Sequence, residues 1–343
     1  MAIKRVTMQD IADACGLSRN TVSKVFNGRG SVPETTQKLI LDKAIELGYL
    51  QPPQEPVPDK SATKEKNIAL LSRQKLLSHV FGAKFFPSFS DQISRLGYSI
   101  RVFEVSDEEI SESILPSPLV LSDTCGILAI EIFDKAYLDM LCSLHIPTLI
   151  VDGYYGAGSD VKKCDWISME NFAAEVTICR KLYSKGAKSF GFVGDILHCN
   201  SFYERYAGMR QVMAENSLPY DPALSIVEKD GSEYADINWL TEKLNAMPTL
   251  PDVFICANDF LAIHLMSALK KKGLSIPDDI QLVGFDGSLE ASLIEPSLTT
   301  AQILCSEIGR LSANLLNERI QNPDLPYRQT YVRSLPIWGK STL

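Results

Sequence analysis

Residues 7–49 read TMQDIADACGLSRNTVSKVFNGRGSVPETTQKLILDKAIELGY, and three short amphipathic runs within them decide the architecture of the amino-terminal end. Thr7 precedes the first run with Asp10 three residues on, the arrangement of a capping box, and Ile11 and Ala14 are expected on one buried face before Gly16 ends the helix. Ser18 caps a second run in which Val22, Val25 and Phe26 form the apolar stripe, leaving Arg19, Asn20, Ser23 and Lys24 outward. The third run has Pro33 in its first turn and is expected to bury Leu39, Ile40, Ala44 and Leu47. A helix, a short turn containing glycine and a second helix that starts on polar residues make a helix-turn-helix, whose second helix enters the DNA major groove by its amino-terminal end. Arginine matches the two acceptors on a guanine edge and asparagine the acceptor and donor on adenine, so Arg19 and Asn20 are placed to read bases, with Lys24 one turn later. On spacing alone, the pattern also fits a plain three-helix bundle with a solvated, charged outer face.

The charge distribution bears on that choice. The chain of 343 residues carries a formal net charge of -8. Residues 1–30 nevertheless hold Lys4, Arg5, Arg19, Lys24 and Arg29 against Asp10 and Asp13, a local +3 that leaves -11 for the rest. A basic head on an acidic body suits a protein that touches phosphates with one end only. No apolar run approaches the roughly 18 residues of a membrane helix, and MAIKRVTMQD lacks the apolar core of a signal peptide, so a soluble, cytoplasmic protein is expected. The eight cysteines are scattered, mostly inside apolar runs, and no CxxC pair occurs, which disfavours zinc knuckles and redox motifs; no cofactor or metal is implied.

The ordered words T-x-x-D-I-A, C-G-L-S-x-x-T-V-S-K-V-x-N and I-E-L-G-Y, running almost unbroken from Thr7 to Tyr49, resemble the LacI/GalR repressor family. The resemblance implies that Arg19, Asn20 and Lys24 face bases and that Thr7, Ser18, Thr21, Ser23, Asn27 and Tyr49 approach phosphate or sugar. It also implies binding of operator DNA as a homodimer, because one helix-turn-helix reads only a half-site.

A departure follows at once. QPPQEPVPDKSATKEK, residues 51–66, holds prolines at 52, 53, 56 and 58, the composition of a stiff extended linker. The family usually has a hinge helix here, with a leucine wedged into the minor groove; counting from Tyr49, that slot holds Pro58, and proline removes amide donors and clashes with the preceding turn. Domains are therefore expected at 1–50 for the helix-turn-helix, 51–66 for a linker without hinge helix, and 67–343 for the effector-binding and dimerisation part.

From residue 67 onward, short β-branched runs alternate with helix-length stretches: NIALL, YSIRVFEV, CGILAI, PTLIVDG, DWISM, SFGFVGD, LSIVEK, DVFICA and IQLVGFDG. Successive βα units indicate parallel sheets wrapped by helices, and two sets of four or five strands suggest two lobes with a ligand cleft between them. The fold class expected is a small all-α helix-turn-helix head plus a two-lobed α/β effector domain like the periplasmic binding proteins. CANDFLAIHLMSALKKKGLSIPDDIQLVGFDGS, EPSLTT and EIGRLSANLL continue the family resemblance, with residues 67 to about 160 and 303 to about 326 forming the first lobe and crossings near Thr300 and Tyr327.

The resemblance implies ligand contacts from Arg205 in ERYAG and Asp259 in CANDF; read without it, either residue serves equally well as a helix-surface charge or an N-cap. His79 opens HVFG where the family has an aromatic wall, and it is a third candidate ligand contact. Ile303 stands where many members place glutamine, and Glu170 with Asn171 where V-x-x-D-N is usual. These changes argue that the effector is not one of the family's common sugars: a sugar or related metabolite, a larger or more apolar molecule, and no effector at all stay open at this point. No catalytic constellation stands out: GYYGAG at 153–158 lacks the order of a phosphate loop, and adjacent His198 and Cys199 in HCN are expected to point apart. The reading is a DNA-binding repressor tuned by a small molecule. The alternative is a ligand sensor acting mainly through protein partners with weak DNA binding.

Overall fold

Thr7 caps the first helix as its spacing predicts: its hydroxyl accepts from the Asp10 amide at 3.4 Å, while the Asp10 carboxylate accepts from the Thr7 amide at 2.7 Å. The computed structural model describes residues 7–26, 32–47, 49, 66–73, 76–78, 80–156 and 163–343. The chain divides into two compact units, Met1–Thr63 and Lys64–Leu343.

The first unit holds α1 (Met8–Cys15), α2 (Arg19–Phe26) and α3 (Glu34–Glu46). Gly16 ends α1 at φ 64°, a left-handed conformation that glycine adopts without a Cβ penalty, and so turns the chain into α2. Ile11, Ala12, Val22, Ile40 and Ala44 are fully buried and form the core, with Val25, Phe26, Leu47 and Tyr49 packed around it. Two expectations fail here. Ala12 takes the buried place assigned to Ala14, which is exposed, and Leu39 is 46% exposed, because α3 turns Ile40 and Ala44 toward the other two helices. The proline-rich segment 51–65 lies outside the described residues.

The second unit begins with β1 (Asn67–Ser72), α4 (Val80–Arg95), β2 (Ser99–Glu104), α5 (Asp107–Glu112), β3 (Thr124–Ile130), α6 (Lys135–Ser143), β4 (Thr148–Val151) and β5 (Asp165–Glu170). It continues with α7 (Phe172–Ser184), β6 (Phe190–Val193), α8 (Asn200–Glu215), α9 (Ile237–Ala246), β7 (Val253–Cys256), α10 (Asp259–Lys271) and β8 (Gln281–Val283). The chain closes with α11 (Leu289–Leu293), β9 (Thr300–Gln302), α12 (Cys305–Gln321), β10 (Gln329–Arg333) and β11 (Leu335–Ile337).

Two parallel sheets result. The first has the order β10-β5-β4-β3-β1-β2 and the second β6-β7-β8, with β9 and β11 pairing as a short antiparallel ribbon. The lobes are thus unequal, six strands and three, rather than four or five each. Only Ile226 of the expected strand LSIVEK pairs, as an isolated bridge to Val193. The first lobe also runs further than expected, through Glu170, and regains β10 before the chain leaves at Ser334. The reason is a buried anchor: Asp165 opens β5 and receives the Arg319 guanidinium of α12 at 2.8 and 3.1 Å and the Arg328 amide at 2.8 Å, which pins β5 and the approach to β10 to one lobe. Three crossings, near Asn171, Ile303 and Ser334, therefore join the lobes. Close packing of α12 on α4 needs Gly309, where a Cβ would lie 2.4 Å from the Phe85 carbonyl oxygen.

Candidate functional site

In the head, Ser18 and Thr21 share a hydroxyl contact of 2.9 Å, and the Thr21 amide donates to Ser18 Oγ at 3.2 Å, so the first turn of α2 is capped from within. Arg19, Asn20 and Lys24 are all exposed. Thr7 donates its hydroxyl to Asp10 at 2.7 Å, Ser23 is half-buried, and the Tyr49 ring lies 5.5 Å from Phe26, holding the chain after α3 against the end of α2. The structure thus gathers the expected base-facing residues on the solvent side of α2 and places Tyr49 in the packing. Asn27 lies outside the described residues.

In the second unit the strands of each sheet are parallel, so their carboxyl ends gather at one edge, where ligands bind in such folds. Arg205 projects from α8 to that edge and is only 2% exposed. Its Nε donates to Asn171 Oδ1 at 3.0 Å, its Nη1 to the Ala257 carbonyl at 2.6 Å, and its guanidinium lies 3.8 Å over the Phe285 ring. The Asp286 carboxylate stands 3.8 Å from Nη1. Arg205 therefore ties the crossing at Asn171 to the ends of β7 and β8. Asp259, the first residue of α10, is also buried, and both its oxygens are engaged: Oδ1 accepts from the Thr300 hydroxyl at 2.6 Å and Oδ2 from the Ser288 amide at 2.7 Å. Burial raises its pKa, and these two donors offset only part of that rise. Asp259 braces the turn that carries Asp286. His79 lies outside the described residues.

Asn171, at the crossing, donates to the Met169 carbonyl at 3.0 Å, to Glu204 at 2.8 Å and to Ser201 at 3.3 Å. Glu170 accepts from the amides of Ala173 and Ala174 at 2.6 and 3.0 Å, so this departure from the family pattern caps α7 with an anion where the helix dipole favours one. Ile303 is buried in the core and carries no polar group to the edge. His198 sits 5.0 Å from Phe133 and 5.1 Å from Phe202, with Nδ1 3.1 Å from Asp230. Its neighbour Cys199 is buried, and burial pushes its thiol well above the ordinary value, so no thiolate stands beside the imidazole.

Three further carboxylates stand at this edge; Glu131 and Asp152 carry no motif that marks them in the sequence, and Asp286 lies in the family-like stretch IQLVGFDGS, from which the sequence reading assigns no ligand contact. Glu131 follows β3 directly, Asp152 follows β4 directly and Asp286 lies three residues after β8. A weaker signal is present: each is the first acid after a β-branched run, in GILAIE, LIVD and LVGFD, and the carboxyl ends of parallel strands are where ligand contacts collect. All three adopt positive φ, 52°, 57° and 127°, a conformation uncommon for residues other than glycine.

Comparison with known proteins fits both units. Residues 7–51 match the family described as bacterial regulatory proteins, lacI family, and residues 179–342 match the periplasmic binding protein-like domain. The HTH-type transcriptional repressor PurR of Pasteurella multocida (strain Pm70) is 28% identical over 318 residues, covering 92% of each chain. Among solved structures, the transcriptional regulator CelR in complex with cellobiose superposes with a TM-score of 0.71 at 21% identity, covering 98% of this chain and 100% of that one. The lac repressor dimer bound to operator and the anti-inducer ONPF gives 0.70 at 21%, covering 99% and 100%. No described helix is long and apolar enough to cross a membrane.

Proposed function

Because this chain belongs to the LacI/GalR family of DNA-binding transcriptional regulators, we propose that it represses from a near-palindromic operator as a homodimer and that a small molecule in the cleft between the lobes adjusts its grip. The observation that carries the reading is the solvent-facing row Arg19, Asn20 and Lys24 on a helix whose first turn is already capped by Ser18. These side chains are left for base edges, and Thr7, Ser18, Thr21, Ser23, Asn27 and Tyr49 are assigned to the phosphate and sugar flank. Two heads are needed because each reads one half-site. A sensor that works chiefly through protein partners is not favoured, since the match to the DNA-binding family covers residues 7–51.

The test is base-specific. Arg19→Ala and Asn20→Ala are each expected to cost about 1–3 kcal/mol on the operator and little on random duplex. Fluorescence anisotropy on both DNAs measures this, and equal losses on the two would show that these side chains touch only phosphate.

In the body, Arg205 is assigned as the central polar group of the effector site and Asp259 as the brace that sets Asp286 beside it; His79 is proposed at the same cleft. Effector binding would draw the two strand-end edges together across the three crossings, the closure expected of hinged two-lobed domains. Prolines 52, 53, 56 and 58 occupy the stretch where the family usually has its hinge helix, so the grip is proposed to be transmitted without a minor-groove wedge.

A further inference from the structure

Cys142 and Cys164 stand 22 positions apart in the chain, yet their sulfurs lie 2.6 Å apart. Cys142 is in the last turn of α6 and Cys164 is one residue before β5, so the contact joins the end of a helix to the start of a strand within the first lobe. Both are thiols. Sulfurs this close are within reach of a covalent bond with little movement of the backbone that carries them. No CxxC motif announces the pair, because folding rather than sequence spacing brings it together.

The two differ in access. Cys164 is 4% exposed. Cys142 is half-buried and lines a cavity of about 540 Å³ together with Lys135, Asp139, His145 and Lys163. That cavity reaches Thr148, the first residue of β4, and so extends to the amino ends of the strands, opposite the edge that holds Arg205. A small oxidant thus meets Cys142 first, with the second sulfur directly behind it. The other thiols are poorly placed for this. Burial pushes Cys125, Cys179, Cys199 and Cys256 above the ordinary value and Cys305 up to about 11, which suppresses the reactive thiolate. Cys15 donates to the Leu39 carbonyl at 3.9 Å.

We propose that Cys142 and Cys164 form a reversible disulfide that staples α6 to the start of β5, with Cys142 attacking a hydroperoxide and Cys164 resolving the product. The Cys142 sulfur takes one oxygen of the peroxide, the O–O bond breaks, and a sulfenic acid forms as an alcohol or water leaves. The Cys164 sulfur then attacks the oxidised sulfur, the S–O bond breaks with loss of water, and the S–S bond closes. The two sulfurs lose two electrons, which reduce the O–O bond, and the two thiol protons end in the alcohol and water. A dithiol reverses the step by exchange. In a reducing environment such a pair is cross-linked only while oxidant is present, the behaviour of a sensing site. The bond closes a loop spanning 22 positions that contains β4. It also ties α6 to the residue before Asp165, where the Arg319 guanidinium and the Arg328 amide already converge. Loop closure restricts the unfolded chain, so the oxidised form melts higher, with or without a ligand in the cleft.

The experiment uses the full chain, reduced with dithiothreitol, freed of it and treated with hydrogen peroxide. Alkylation counts the thiols, a non-reducing peptide map locates the linkage, and thermal shift reads the midpoint. The expected result is the loss of two alkylatable thiols, a linked peptide joining Cys142 to Cys164, and a midpoint raised by about 5 °C. Dithiothreitol is expected to reverse all three. Cys164→Ser is expected to hold Cys142 as a sulfenic acid that a 1,3-dione captures, and Cys142→Ser to leave Cys164 reduced, with circular dichroism reporting that each variant is folded. The wild-type map decides the matter even where a variant fails to fold. Peroxide that leaves every thiol alkylatable, a linkage through Cys15 or between two copies, a linked pair that leaves the midpoint unchanged, or a sulfenic acid captured elsewhere than at Cys142 would each overturn the proposal.

Discussion

Arg319→Ala is expected to destabilise the larger unit by about 3–5 kcal/mol, the loss typical of removing one partner from a buried ion pair. Arg319 and Asp165 have side chains 3% and 2% exposed and meet in a forked contact of 2.8 and 3.1 Å. The guanidinium also donates to the carbonyls of Pro323, Leu325 and Pro326 and lies over the Tyr327 ring at 4.6 Å, so one side chain closes the whole turn between α12 and β10. Truncation leaves a buried carboxylate that, among the described residues, keeps the Arg328 amide at 2.8 Å and the Arg328 Nε at 3.9 Å. Urea unfolding of wild type and variant measures the loss. Replacing both partners, as Asp165→Asn with Arg319→Met, should recover a substantial part of it, because the uncompensated charge is gone. A single-variant loss under about 1 kcal/mol would mean that the pair does not anchor β5 and β10 to the first lobe.

The second large effect concerns Arg205. Arg205→Ala is expected to abolish the response of operator binding to any metabolite that raises the wild-type melting midpoint, while operator affinity without that metabolite stays nearly unchanged. Losing a buried, hydrogen-bonded cation at a binding site costs about 2–5 kcal/mol, enough to weaken a ligand by well over tenfold. Asp259→Ala should produce the same uncoupling by another route, since its carboxylate holds the Ser288 amide and Thr300 hydroxyl around the Asp286 turn. Titrating operator with and without metabolite reads both variants. A normal response in both would remove this edge from the effector site.

What can be read in the sequence follows from how local each feature is. The capping box at Thr7 and Asp10, the left-handed Gly16 and the apolar stripe of α2 depend on neighbours within one helical turn, and the structure has them where spacing puts them. Ala14 and Leu39 depart from expectation because a short helix allows its stripe to rotate by one residue, and only contact with the other helices decides which one turns inward. Strands β1 to β8 are β-branched runs with plain signals, whereas β10 is mostly exposed, and nothing in QTYVR announces that it completes the first sheet. That assignment depends on Arg319 meeting Asp165 across 154 positions, a pairing no local pattern contains. The same holds at the cleft. Arg205 and Asp259 are recognisable from their motifs, but their partners Asn171, Ala257 and Thr300 lie 34, 52 and 41 positions away. Glu131, Asp152 and Asp286 are within reach of the rule that ligands gather at strand ends, yet no motif singles out Glu131 and Asp152 from the other acids of the chain, and the family-like stretch that holds Asp286 does not by itself say which of its acids faces the cleft.

Everything proposed for the head rests on two copies reading a palindrome through α2. Repeated selection of the full-length chain from a pool of random duplexes puts that to the test without requiring a known operator. Enrichment of an inverted repeat is predicted, with a guanine position that loses its preference when Arg19→Ala is selected in parallel and an adenine position that relaxes with Asn20→Ala. A pool that shows no inverted repeat after selection, or the same repeat with and without Arg19 and Asn20, would contradict it.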